Sequence, residues 1–106
     1  MDTKEFQQWV ENFYQKRGWA DYGPFIRMGF LMEEAGEVAR VVRSLEIGRD
    51  RPDETTKRTE ELKQELTEEL GDVLSNLIIL ANMYHVSMDD IMETHVRKLK
   101  LRFRNE

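Results

Sequence analysis

Residues 31–38 read LMEEAGEV, and residues 66–73 read LTEELGDV. Five of the eight positions are identical, and Glu37 is answered by a second acid, Asp72. The two stretches can be compared on helical wheels turning about 100° per residue, with each leading leucine set to zero. Leu31, Ala35, Val38, Val42 and Leu45 fall within about 40° of zero, and so do Leu66, Leu70, Val73, Leu77 and Leu80. Each set predicts an apolar stripe facing a core. Glu34 and Glu69 both fall at about 300°, on the shoulder of the stripe, and Glu37 and Asp72 at about 240°. The same acids recur in the same phase.

Around these octets four helices can be read and no strand. Phe6, Trp9, Val10, Phe13 and Arg17 recur at three- and four-residue spacing up to Gly18. Gly23-Pro24 opens the second helix, since proline suits a first helical position. It runs through Leu45 to a stop near Gly48. The stretch GRDRPDETTK, residues 48–57, is a charged, turn-rich loop. A third helix covers about Thr59 to Tyr84. The run Ser87-Met-Asp-Asp90 resembles a capping box opening a last helix to about Phe103. Short links between long amphipathic helices predict an all-α, four-helix, bundle-like architecture.

The chain's 106 residues predict one domain, 1–106. With 40% hydrophobic and 35% charged residues, it reads as a globular protein with a well-solvated surface. The longest apolar run, Leu77 to Ala81, is far too short to span a bilayer. The opening residues carry neither a basic segment nor an apolar stretch of the kind a secretory signal needs, so cytoplasmic residence is expected. Without cysteine there is no disulfide and no thiolate metal site. A net charge of −5 argues against nucleic acid as a partner. Residues 97–106 nevertheless hold five lysines and arginines, which also suit the end of a helix and its macrodipole.

A carboxylate on the edge of a buried stripe is costly unless something compensates it. Two acid pairs in one phase, on helices that pack side by side, would gather four carboxylates. Repulsion would then raise their pKa values or require a cation. A hard, oxygen-loving ion fits, Mg²⁺ or alternatively Mn²⁺. Acids three residues apart point the same way, so each pair can bind one side of such an ion. Gly36 and Gly71, each costing about 1 kcal/mol in a helix interior, recur in phase and predict close approach by another segment. A purely architectural duplication would also repeat the stripe, but it leaves the edge acids unexplained.

At these residues the chain resembles the MazG-like nucleotide pyrophosphohydrolases of the all-α NTP pyrophosphatase superfamily. That family carries an ExxE motif on one helix and an ExxD motif on a later one. Here they stand as Glu34-Ala-Gly-Glu37 and Glu69-Leu-Gly-Asp72. The likeness extends to an aromatic first helix ending in Arg17-Gly18-Trp19 and a closing Lys98-Leu-x-x-Arg102-Phe103. It implies Mg²⁺-dependent hydrolysis of a nucleoside triphosphate between its α and β phosphates, giving monophosphate and pyrophosphate. It also implies Glu34, Glu37, Glu69 and Asp72 as metal ligands and Glu33 as the base toward the attacking water. As a surface acid, Glu33 also has an ordinary solvated reading.

Asn76, on the same edge as Glu69, is a candidate for contact with phosphate or with a metal ligand. Lys98 and Arg102, four residues apart, suit a triphosphate, or else the helix macrodipole. Trp19 and Tyr22 are candidates for stacking on the base, or else for the core. Arg49 and Arg51 in the 48–57 loop either close over phosphates or stay solvated. Two features depart from the family. Thirty-one residues separate Glu37 from Glu69, a long gap, and Val96 stands where relatives often have Asn.

Glu-x-x-His pairs, which a di-iron bundle needs, are missing at both His85 and His95. Residues 50–61 lack the glycine and ligand spacing of a calcium loop. The remaining alternative is a non-catalytic, oligomeric helical interaction module with a structural or vestigial metal site. Apolar residues beyond the stripes, including Phe30, Val41, Ile78 and Ile79, predict a homodimer or homotetramer.

Overall fold

The computed structural model describes residues 1–49 and 51–105. Asp50 of the predicted loop and Glu106 of the basic terminal segment lie outside the described residues. Four α-helices follow one another: α1 (Thr3–Lys16), α2 (Pro24–Ile47), α3 (Thr59–Met83) and α4 (Met88–Arg102). Among the described residues there is no strand. A 3-10 turn, Trp19–Asp21, lies between α1 and α2.

The ends obey local chemistry. Asp2 caps α1 by accepting from the Glu5 amide at 2.8 Å. Gly18, at φ 71°, takes the left-handed conformation that stops the chain just past α1. Ser87 caps α4 by accepting from the Asp90 amide at 3.1 Å, the predicted capping interaction. At the end of α3 His85 adopts φ 57°, while the Val86 amide donates back to the Ala81 carbonyl at 2.9 Å. That is a helix stop of the kind glycine usually makes, here built with histidine. No described helix is long and apolar enough to cross a membrane.

The chain divides into two compact units. The first comprises residues 1–24 and 78–106, with a core of Val10, Ile78 and Ile79. Phe6, Tyr14, Met83 and Met88 pack against that core. Gln7 fastens α1 to the α3–α4 link. Its amide nitrogen donates to Asn82 Oδ1 and the Val86 carbonyl, and its oxygen accepts from the Met88 amide.

The second unit, residues 25–77, holds both octets. Its helices run in opposite directions, because partners descend α3 as they ascend α2. Arg27 meets Asn76 near one end, Glu34 clusters with Glu69 and Asp72, and Arg40 and Ser44 share a cavity with Leu62 and Glu65.

Burial here departs from the predicted stripes. Leu31 is buried, but Ala35 and Val42 of α2 and Leu70 and Leu77 of α3 are exposed. Val41, Leu62 and Asn76 are buried instead. In both helices the inward sector is therefore turned about 40° toward the acids. The reason is the pairing itself: each helix turns its carboxylate-bearing shoulder toward the other, and the far edge of the stripe is left uncovered. Val41 and Ile79, part of the apolar excess expected to meet a partner, are buried within the chain's own units.

A second correction concerns the glycines. A Cβ built on Gly36 or Gly71 meets nothing within 4 Å, so no described segment approaches there. Gly36→Ala should therefore raise the unfolding free energy by about 1 kcal/mol, because alanine removes backbone freedom from the unfolded chain. Urea denaturation of the two proteins checks this, and a loss of stability would show that the space is used.

Candidate metal centre

Three of the four predicted ligands converge. One carboxylate oxygen each from Glu34, Glu69 and Asp72 lies within 4.8 Å of the others. Oxygens around an octahedral Mg²⁺, bonded at about 2.1 Å, stand about 3 Å apart when adjacent and about 4 Å when opposite. The trio therefore needs only small side-chain rotations to close on a hard cation. Its all-oxygen donor set is the chemistry such an ion prefers.

The fourth acid stands apart. Glu37 Oε2 accepts from Arg40 Nε at 2.9 Å, an ion pair one helical turn long and about half exposed. Arg40 thus supplies positive charge at the edge of the cluster. Sequence reasoning passed over this residue, although its place three after Glu37 marks it as a helical ion-pair partner.

Electrostatics follow from this arrangement. The carboxyl of Glu34 is pushed above its ordinary pKa, first by burial, then by the charges of Asp72, Glu37 and Glu33. That of Glu69 is raised by burial, then by Asp72, Glu34 and Glu37, against an opposing pull from Arg40. The Arg40 guanidinium is held more firmly protonated, first by its hydrogen bond to Glu37. Gathered carboxylates resist ionisation without a counter-charge. A divalent ion needs them ionised. Its affinity should accordingly begin to fall at a pH above that of an ordinary glutamate, as Glu34 and Glu69 take up protons. Titrating Mn²⁺ by paramagnetic relaxation across pH 4 to 7 checks this, and an affinity that holds until the ordinary carboxylate range would contradict it.

Asn76 is buried with both ends of its amide engaged. Its Oδ1 accepts from Arg27 Nη1 at 3.0 Å, and its Nδ2 donates to the Asp72 carbonyl at 2.9 Å. Its evident work is to fasten the buried Arg27, whose guanidinium also lies 5.0 Å from the Phe30 ring centroid. Arg27 too escaped the sequence reading. The available signal was an arginine four residues before Leu31, on the inward side of the wheel.

Glu33 is exposed, and its charge reaches Glu34. The other predicted substrate contacts belong to the first unit. Trp19 packs edge-on against Tyr14 and Phe13, with ring centroids 5.4 and 6.2 Å apart, and remains partly exposed, as does Tyr22. Lys98 and Arg102 are exposed on α4, and Lys98 lines a shallow cleft with Ile91 and His95. His95 is exposed.

Antiparallel helices with opposed ExxE and ExxD motifs define an all-α class in which acids from two helices meet. The chain belongs to the family of the MazG nucleotide pyrophosphohydrolase domain, whose model matches residues 27–105. It is 59% identical over 103 residues to the uncharacterized protein YvdC of Bacillus subtilis (strain 168), covering 97% of each chain. It is 30% identical over 99 residues to YpjD of the same strain, covering 93% of this chain and 84% of YpjD. The crystal structure of Bacillus subtilis YpjD, provisionally described as a pyrophosphatase, matches with a TM-score of 0.70 at 25% identity. That match covers 100% of this chain and 97% of the YpjD chain.

Proposed function

We propose that the chain hydrolyses nucleoside triphosphates or deoxynucleoside triphosphates to monophosphate and pyrophosphate, as a cytoplasmic, Mg²⁺-dependent enzyme that also accepts Mn²⁺. The observation that carries this reading is the convergence of Glu34, Glu69 and Asp72 from two helices, within a domain of the pyrophosphohydrolase family. These three carboxylates, with Glu37 as a fourth, would hold the ion. Bound magnesium supplies charge against the developing phosphate anion and lowers the pKa of a coordinated water. Glu33 is the candidate base toward the attacking water; it adjoins Glu34 in sequence and is exposed to solvent. Lys98 and Arg102 on α4 are the candidate phosphate contacts, and the partly exposed Trp19 and Tyr22 the candidate base contacts.

Hydrolysis in ¹⁸O-water tests the bond cleaved. Label should enter the monophosphate, as attack at the α phosphorus requires. Orthophosphate as the first product would reject this reading. Metal binding without turnover of any nucleotide would favour the non-catalytic helical module instead.

The enzyme is proposed to work as a homo-oligomer, a dimer or tetramer. Met28, Met32 and Val42 on α2 and Leu70, Leu74 and Leu77 on α3 are 39–60% exposed. All six fall between about 20° and 100° on the wheels. Because the helices are antiparallel and share a phase, these residues lie on the same side of the pair. A contiguous apolar face of this kind marks an interaction surface, and closed twofold pairing with a second copy is its commonest cover.

A further inference from the structure

Beside the acids the second unit contains a cavity of about 320 Å³, bounded by the long α2–α3 link. This is within the lower range of small-molecule sites, about 300 to 1,000 Å³. Four cations line it, Arg40, Arg49, Arg51 and Lys57, against two carboxylates, Glu54 and Glu65. In a chain of net charge −5, a concave surface with a cationic excess is unusual.

The cations differ in how they are held. Arg49 Nη1 donates to the carbonyls of Pro52 and Glu54 at 3.0 and 3.2 Å, which orients its guanidinium without cancelling its charge. No described carboxylate pairs with it. Arg51 pairs with the exposed Asp53 at 3.2 Å, a pair of the kind that exchanges readily, and lies 3.7 Å from Glu54, which Arg43 also holds at 3.2 Å. Lys57 is pinned to Glu65. The other oxygen of Glu65 is buried without a described donor, and buried acceptors of this kind are rarely left unsatisfied.

Two residues join this cavity to the acid cluster. Arg40 lines it while bonded to Glu37, and Glu65 lines it one turn before Glu69 on α3.

We infer that this cavity is the subsite for the pyrophosphate portion of the substrate, two linked phosphoryl groups bound as their magnesium complex, with Arg49 and Arg51 as principal contacts. The assignment rests on the hydrolase reading and adds to it where the leaving group sits. It also gives the long link a use: the link carries guanidinium forks, which match phosphate oxygens in pairs.

Calorimetric titration of inorganic pyrophosphate with Mg²⁺ into the full chain tests it without turnover. The double variant Arg49→Gln, Arg51→Gln should weaken pyrophosphate binding by about tenfold or more. Calorimetric affinity for the nucleoside monophosphate should stay within about twofold of the parent value. Arg58→Gln serves as the control for general charge, because Arg58 is exposed, pairs with Glu61 and does not line the cavity. It should leave pyrophosphate affinity unchanged. Equal affinity in the double variant and the parent, or an equal loss in the Arg58 variant, overturns the assignment. Turnover of triphosphates by the parent is scored separately. Arginine-dependent pyrophosphate binding without turnover supports the subsite and sinks the hydrolase reading. Turnover with arginine-independent binding does the reverse.

Discussion

Glu69→Gln should lower kcat/KM for Mg²⁺-dependent pyrophosphate release by about a thousandfold, a loss of several kcal/mol of transition-state stabilisation. The amide keeps the size of the side chain and one acceptor oxygen but removes the charge that a hard cation needs. The same substitution should leave the metal-free fold unharmed or strengthen it. The sign follows from linkage. A carboxyl whose pKa is raised in the folded protein favours folding at low pH and opposes it once ionised. At neutral pH Glu69 is ionised beside Asp72 and Glu34, so the neutral amide relieves repulsion. Far-UV circular dichroism and thermal melting in a chelator, run beside the kinetic assay, measure both halves. Near-normal turnover would show that Glu69 is no ligand. A large fall in melting temperature would show that its charge is structurally paired.

The second large effect concerns assembly. Leu74→Glu places a charge in the middle of the exposed α2–α3 face, where a second copy would bury it. Desolvating an unpaired carboxylate costs about 3 kcal/mol or more, which raises the dissociation constant of a dimer by over about a hundredfold. Because Leu74 is already partly exposed, the chain's own fold should tolerate the change. Light scattering at micromolar concentration should give a multiple of 12.7 kDa for the parent and a mass near 12.7 kDa for the variant. A monomeric parent would reject the oligomer outright. Ile79, read from the sequence as part of the apolar excess, cannot serve as such a probe because it belongs to the core with Val10 and Ile78.

The fold was legible because its signals are local. Proline at position 24, Gly18, Gly48 and the Ser87 cap mark helix ends through backbone preferences that no tertiary contact overrides. The phase of Glu34, Glu69 and Asp72 was legible too, since a regular helix carries phase faithfully over several turns. What escaped was the direction in which each stripe points. Periodicity locates an apolar face but does not say which edge a neighbouring helix covers. Val42 and Leu77, read as core, are exposed, while Val41 and Asn76 are buried. The same blindness hid Arg27 and Arg40, whose roles depend on residues reached only through folding or side-chain choice. Gly36 and Gly71 misled for a related reason: repetition identifies a shared constraint but not the body that imposes it.

The Arg40–Glu37 pair has a bearing on how the protein would behave if the proposed ion were withdrawn. Many small metal domains fall apart under chelation, because binding the ion and folding are one event. Here a guanidinium already stands at the edge of the cluster, bonded to Glu37, and its charge reaches Glu69. With Glu37 as the proposed fourth ligand, filling the site would exchange that guanidinium for a metal ion at Glu37. The displaced pair is half exposed and so holds Glu37 by about 1 kcal/mol or less. An ion has little to overcome in taking its place, and its departure leaves the helices with charge still partly balanced. Chelators should therefore stop turnover while the helices stay folded, and returning the metal should restore activity without a refolding step.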